Sequence, residues 1–362
     1  MKVAVLVGTR PEIIKMSPII RYCEELKNKK EDFDYFVIHT GQHYSYELDK
    51  IFFEELELKP CKYYLEVGSG KHGAMTGKIL ERIEAILEQE KPNVILVEGD
   101  TNSVMAGALA AVKLQIKVGH VEAGLRSYDR TMPEEINRVI TDHISDYFFT
   151  PTEQSKKILL GEGISESKII VTGNTIVDAV YQSLELSYNK SKIIETLGLK
   201  NKKYALVTAH RQENVDDPVK LKNIFKGFEL LYRKLGLEIV YPIHPRTKKR
   251  INEFKINPEG FVKLIDPIGY LDFLQLEKNA SLILTDSGGV QEEACILKVP
   301  CVTLRENTER PETIEVGANI LAGTDPMKML KSSEKMLNAG KLWENPYGKG
   351  DAGKLSVDFL FE

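Results

Sequence analysis

HVEAGLRSYDRTMPEEINR, residues 120–138, joins the end of an apolar run to a turn and then to a helix start, with acids and bases crowded at the junction. Glu122 and Ala123-Gly124 close the apolar run and Arg126 follows. Pro133 then opens a helix whose first turns carry Glu134, Glu135, Asn137 and Arg138. A proline at the first helical position with acids behind it is an ordinary helix start, favoured by the preset φ and by the helix dipole. Capping does not require the upstream Glu122 and Arg126, so chemistry is expected at this strand end as well.

Working outward, residues 3–7, 35–40, 94–98, 117–121 and 147–150 read as buried strands, followed by helical patterns such as 80–90 and 103–114. This alternation predicts a parallel α/β sheet covered on both faces. Gly8-Thr9-Arg10 turns from the first strand into a helix started by Pro11 and expected to kink at Pro18. The turn sits where dinucleotide folds cradle phosphate, but it lacks GxGxxG and offers Arg10 and Lys15 instead. A lysine one turn into a helix opposes the dipole by ~0.3–1 kcal/mol, an objection that a nearby anion would remove. Ligands of open parallel sheets bind beyond the carboxyl ends of the strands, where Arg10, Gln42, His43, Asp100 and Glu122 fall. Asp100, Thr101 and Asn102 can each cap the following helix, and one cap is enough, which leaves a polar side chain over. Gln42 and His43 are binding candidates only.

The plan restarts after Thr172-Gly173-Asn174. Strands are expected at 204–208, 238–243, 262–265, 282–285 and 301–304. We therefore divide the chain into domains 1–171 and 172–350, with the tail 351–362 expected to cross back to the first. TAHRQEN sets His210 and Arg211 at one strand end, YPIHPR sets His244 and Arg246 at another, and TDSGGVQEEA sets Ser287-Gly288-Gly289 at a helix start. Free amides at that start, two glycines that admit a close ligand and a hydroxyl suit a diphosphate. Glu292 and Glu293, one turn further in, can accept hydrogen bonds from ribose hydroxyls. RENTERPET brings Arg305, Glu306 and Arg310 to the same cleft.

The chain has 362 residues, 42% of them hydrophobic and 28% charged, with a net charge of -4. That balance excludes a basic field for nucleic acid or an anionic membrane. Cys23, Cys61, Cys295 and Cys301 have neither zinc nor disulfide spacing, which suits a reducing cytoplasm. No signal peptide or membrane span is expected. The histidines lack metal-ligand spacing and the dinucleotide fingerprint is absent, so neither a metal nor a redox cofactor is expected and the chemistry must come from acids and bases. Carboxylates mostly on the first half and phosphate binders mostly on the second describe a cleft for a nucleotide sugar.

The motifs GTRPEIIKMSPII, GDTNS, HVEAGLR, PEEINR, TDSGGVQEEA and TERPE, in this order between residues 8 and 312, resemble those of the non-hydrolysing UDP-N-acetylglucosamine 2-epimerases. The resemblance implies a GT-B type fold of two Rossmann-like domains, ligand in the interdomain cleft, a homodimer, no added cofactor, and interconversion of UDP-GlcNAc with UDP-ManNAc. It implies anti elimination of UDP to 2-acetamidoglucal and readdition of UDP after protonation from the other face. Carried over by motif, Asp100, Glu122 and Glu134 are the acid/base candidates, with Lys15 and His210 assisting charge and diphosphate. Arg10, Ser287, Gly288 and Gly289 would hold the diphosphate, Glu293 the ribose and Phe273 the uracil, with Gln42, His43, His244 and Arg310 as further substrate contacts. The chain departs from bacterial members at Met132, Ser45 and Gln212, the first beside the sugar pocket and Ser45 in the loop where those members are activated by substrate. A hydrolysing epimerase, a GT-B glycosyltransferase and a noncatalytic nucleotide-sugar module are the rival readings.

Overall fold

Aliphatic runs without polar alternation make strands that are covered on both faces, and the chain has two sets of them. The computed structural model describes residues 1–42 and 46–361. In the first set β1 (Lys2–Val7), β2 (Asp34–His39), β3 (Tyr63–Tyr64), β4 (Val94–Glu98), β5 (Lys117–Val121), β6 (Tyr147–Thr150) and β7 (Ile169–Val171) form a parallel sheet in the order β3-β2-β1-β4-β5-β6-β7. In the second, β8 (Tyr204–Thr208), β9 (Glu238–Pro242), β10 (Val262–Ile265), β11 (Leu282–Thr285), β12 (Cys301–Thr303) and β13 (Asn319–Leu321) take the order β10-β9-β8-β11-β12-β13. Both are Rossmann-like. Strand order reverses between β1 and β4 in the first sheet and between β8 and β11 in the second, so the loops after those strands diverge and open a crevice.

The first compact unit runs from Met1 to Gln182 and takes up the chain again from Tyr347, and the second spans Ser183–Pro346. The first unit thus continues past the boundary expected near residue 172, into the helix Thr175–Lys190. Asp178 on that helix explains why, because its carboxylate accepts the Ala352 and Gly353 N–H groups at 3.3 and 3.0 Å and anchors the returning tail. The tail helix Ala352–Asp358 packs on the helix Arg10–Lys29, where a Cβ at Gly353 would stand 2.8 Å from Cβ of Pro18. Tyr22 closes the contact with a 2.7 Å hydrogen bond to Asp358. The helix Arg10–Lys29 continues through Pro18.

β3, β7 and β13 are additions to the expected strands. They are two or three residues long, and a run that short has no periodicity to read. Among the described residues, no helix is long and apolar enough to cross a membrane.

Candidate functional site

In the first unit the crevice begins at Gly8, where a Cβ would stand 2.4 Å from the Ser103 hydroxyl, so only glycine fits between the ends of β1 and β4. The Gly8 N–H donates to Glu12 at 2.5 Å, which fixes the loop after β1 on the first turn of the helix Arg10–Lys29. Burial pushes the Glu12 carboxyl up to about 7.

One turn further along the same helix, Lys15 Nζ lies 3.2 Å from Glu98 Oε1 and hydrogen-bonds Glu122 Oε2. Only 13%, 3% and 5% of the three side chains is exposed, which removes most solvent screening. These carboxylates supply the anion that a lysine near a helix N-terminus needs. Glu122 directly follows β5 with φ 67°, a left-handed conformation that costs a residue with a Cβ roughly 1–2 kcal/mol. Such strain at a strand end re-aims the side chain.

Thr101 caps the helix Asn102–Lys113 by accepting the Val104 N–H, leaving Asp100 available for other contacts. Arg138 pairs with Asp100, and Asn137 donates to the Asp100 carbonyl at 2.9 Å. Burial raises the Asp100 carboxyl despite Arg138, and the charges of Glu122 and Glu134 add to it. Glu134 itself is exposed in the first turn of the helix Pro133–Ile144. Its neighbour Glu135 is buried and accepts the Ser127 and Tyr128 N–H groups at 2.8 and 3.0 Å, which pins the loop before the helix. Glu135, Asn137 and Arg138 therefore shape the site as well as start the helix. Arg126 is turned inward to Asp142 and Glu162, at 2.6 Å each. Asp142 also takes Nδ1 of the buried His120 at 2.6 Å, so this group frames the end of β5.

Gln42 is buried and accepts the Ser103 hydroxyl at 2.7 Å. Arg10 opens the helix Arg10–Lys29, with its guanidinium 5.7 Å from the Phe52 ring centroid. His43 and Ser45 lie outside the described residues.

In the second unit Asp286, fully buried after β11, accepts the His210 and Arg211 N–H groups at 3.1 and 3.0 Å and the Asn214 amide at 3.1 Å. It stitches the β8 and β11 loops and sets the exposed His210 ring 3.5 Å from its own carboxylate. Ser287 is the N-cap of the helix Gly288–Ile296 but makes no side-chain cap bond. A Cβ at Gly289 would meet nothing within 4 Å, and one at Gly288 would meet only Glu309, at 3.9 Å. Glycine here keeps the helix start open rather than avoiding a clash within the protein. The Glu309 carboxylate is held by Arg305 at 2.7 Å, which lowers it to about 2. His244 uses Nδ1 to accept the Arg246 N–H at 3.2 Å, and burial, with His210 and Arg246 near, lowers its ring. Arg310 Nε pairs with the buried Glu292 at 2.7 Å. Glu306, largely exposed, reaches Lys328 at 3.3 Å. Phe273 is half-buried on the helix Tyr270–Asn279. Tyr270 donates to Glu293 at 3.1 Å.

The structure adds Glu12, Glu98, Asp286 and Glu277 to the residues expected from sequence. Glu277 is completely buried on the helix Tyr270–Asn279, and burial beside the Glu293 carboxyl raises it well above the usual range. A carboxyl inside an apolar strand end was the one available signal, and it marks Glu98 in VILVEGD.

The family model for UDP-N-acetylglucosamine 2-epimerase matches residues 24–360. The UDP-N-acetylglucosamine 2-epimerase of Methanococcus maripaludis is 55% identical over 366 residues, covering 99% of this chain and 98% of the relative. The enzyme of the same name from Methanocaldococcus jannaschii is 56% identical, covering 99% of each. The crystal structure of Methanocaldococcus jannaschii UDP-GlcNAc 2-epimerase in complex with UDP-GlcNAc and UDP matches 100% of this chain and 99% of its own at TM-score 0.88. This chain belongs to the UDP-N-acetylglucosamine 2-epimerase family.

Proposed function

We propose that this protein interconverts UDP-GlcNAc and UDP-ManNAc by anti elimination of UDP, formation of 2-acetamidoglucal and readdition of UDP, acting as a cytoplasmic homodimer without an added cofactor. The observation that carries this reading is the gathering of Glu122, Glu98 and Asp100 around Lys15 and Arg138 at one switch point. A purely structural ion pair does not need this surplus of buried carboxyls, whereas moving a proton on and off carbon 2 does.

A sugar carbon 2 proton is too weakly acidic for a carboxylate to remove alone, so its removal is coupled to departure of the diphosphate at carbon 1. Inversion requires proton acceptors and donors on both faces of the sugar, for which Asp100, Glu122 and Glu134 are the candidates. Lys15 balances the charge of Glu122 as its protonation state changes. In the second unit the free amides of Gly288 and Gly289, the Ser287 hydroxyl, and His210, with Arg10 of the first unit, stabilise the leaving diphosphate. Glu293 takes the ribose, Phe273 lies against the uracil, and Gln42, His43, His244 and Arg310 complete the substrate contacts. The product supplies ManNAc units for cell-surface polysaccharide or glycan synthesis.

Proton and phosphorus NMR of the protein with UDP-GlcNAc alone separates the alternatives. UDP-ManNAc as the sole new sugar is expected. Free ManNAc with UDP would replace this reading with a hydrolysing epimerase, and turnover that requires a sugar acceptor would replace it with a glycosyltransferase.

A further inference from the structure

Lys15 is shared. Its ammonium reaches Glu122, at the end of β5, and Glu98, the last residue of β4, and both carboxyls are almost completely buried. The β4–β5 register pairs Glu98 with Val121, the residue preceding Glu122, and both carboxyls converge on the Lys15 ammonium. Two buried carboxylates held against the same ammonium repel each other. A proton held between the carboxyls turns that repulsion into a hydrogen bond.

Of the two, Glu98 has the deeper position, and its neighbours favour protonation. Glu12 adds like charge from the helix Arg10–Lys29, and burial outweighs the pull of Lys15, keeping Glu98 well above the usual carboxylate range. Asp100, on the loop after β4, is engaged by Arg138 and adds its charge to Glu122 rather than relieving it.

We infer that Glu98 is a positioning residue for the acid/base centre, donating a hydrogen bond to Glu122 and sharing Lys15 with it, so that the Glu122 carboxyl is held in place at the end of β5. The proton of Glu98 remains on Glu98 through the cycle, while Glu122 exchanges protons with the substrate. This inference rests on the reading of Glu122 as an acid/base group.

The test compares Glu98→Gln and Glu98→Ala with the wild type, following epimerisation of UDP-GlcNAc as a function of pH and, in deuterated water, label at carbon 2. Glutamine keeps a neutral donor facing Glu122 and cannot ionise. Its kcat should stay within about fivefold of wild type at the optimum, while the alkaline limb of the kcat profile moves up by at least one pH unit. Alanine removes the donor, and kcat should fall at least tenfold with KM within about twofold.

An alkaline limb unmoved in Glu98→Gln overturns the inference, and so does a glutamine variant as impaired as alanine. If Glu98→Ala does not fold, the Glu98→Gln profile decides alone. Absence of carbon 2 label in the wild type would instead overturn the acid/base reading itself, and the inference with it. Label in the wild type with an unmoved limb overturns only the inference.

Discussion

Glu12 in the first unit and Asp286 in the second are both buried carboxyls at a switch point, yet their surroundings differ. Asp286 receives two backbone N–H groups and the Asn214 amide, a full set of donors for a carboxylate. Glu12 receives one backbone N–H, has Asp100 nearby as like charge, and is pushed up to about 7 by burial. The same contrast runs through the two crevices. Around Lys15 the Glu98 and Glu122 carboxyls are buried side by side, an arrangement suited to holding protons. Around Ser287 the helix start presents fixed donors. We therefore propose proton transfer at the first arrangement and binding of the leaving anion at the second.

Breaking the proton-storing side at its centre should have the largest effect. Glu122→Gln is expected to lower turnover by roughly a hundredfold or more and leave UDP affinity nearly unchanged, as read by NMR kinetics and titration calorimetry. A parallel loss of UDP binding would make Glu122 structural.

The two buried carboxyls can be compared directly by denaturant unfolding, for Glu12 at several pH values. Glu12 has its carboxyl raised from 4.5 to about 7 in the folded state, so the native protein binds the extra proton. The associated stability is fully present below pH 4.5 and is lost as pH rises to about 7. For a fully buried group this shift corresponds to about 3 kcal/mol. Glu12→Gln should therefore gain about that much relative to wild type across this window. Asp286→Asn should instead cost about 2 kcal/mol, because an amide replaces a carboxylate facing N–H donors. A Glu12→Gln variant no more stable than wild type at pH 7 would erase the contrast.

Gly289→Ala gives the smallest effect and sharpens the other side. The added methyl meets no protein atom within 4 Å, so stability should hold or rise by roughly 0.5–1 kcal/mol. UDP affinity should nonetheless fall about tenfold, about 1.4 kcal/mol, because the methyl crowds the anion at the helix start. Unchanged UDP binding would remove Gly289 from the diphosphate site.

The sheets were legible because parallel strands are continuous apolar runs bounded by turns. β4, β5, β6, β8, β10 and β11 occupy the residues expected for them. The unit boundary was not, since it falls within the helix Thr175–Lys190, where no change of composition marks it. Asp100 and Glu122 could be singled out as carboxylates at strand ends, and Lys15 as a lysine one turn into a helix. Their partnership with Glu98 could not, because it depends on the β4–β5 register, a pairing that no local pattern encodes. Glu277 was hidden differently. In LQLEKN it reads as one more solvated helical charge, and only the packing of its helix shows it to be buried.

The central claim is that the Lys15 cluster exchanges a proton at carbon 2, and incubation with UDP-GlcNAc in deuterated water, followed by NMR at that carbon, tests it most directly. UDP-ManNAc carrying deuterium at carbon 2, formed without an acceptor, is the predicted result. Recovered UDP-GlcNAc that is still protonated at carbon 2 would contradict it.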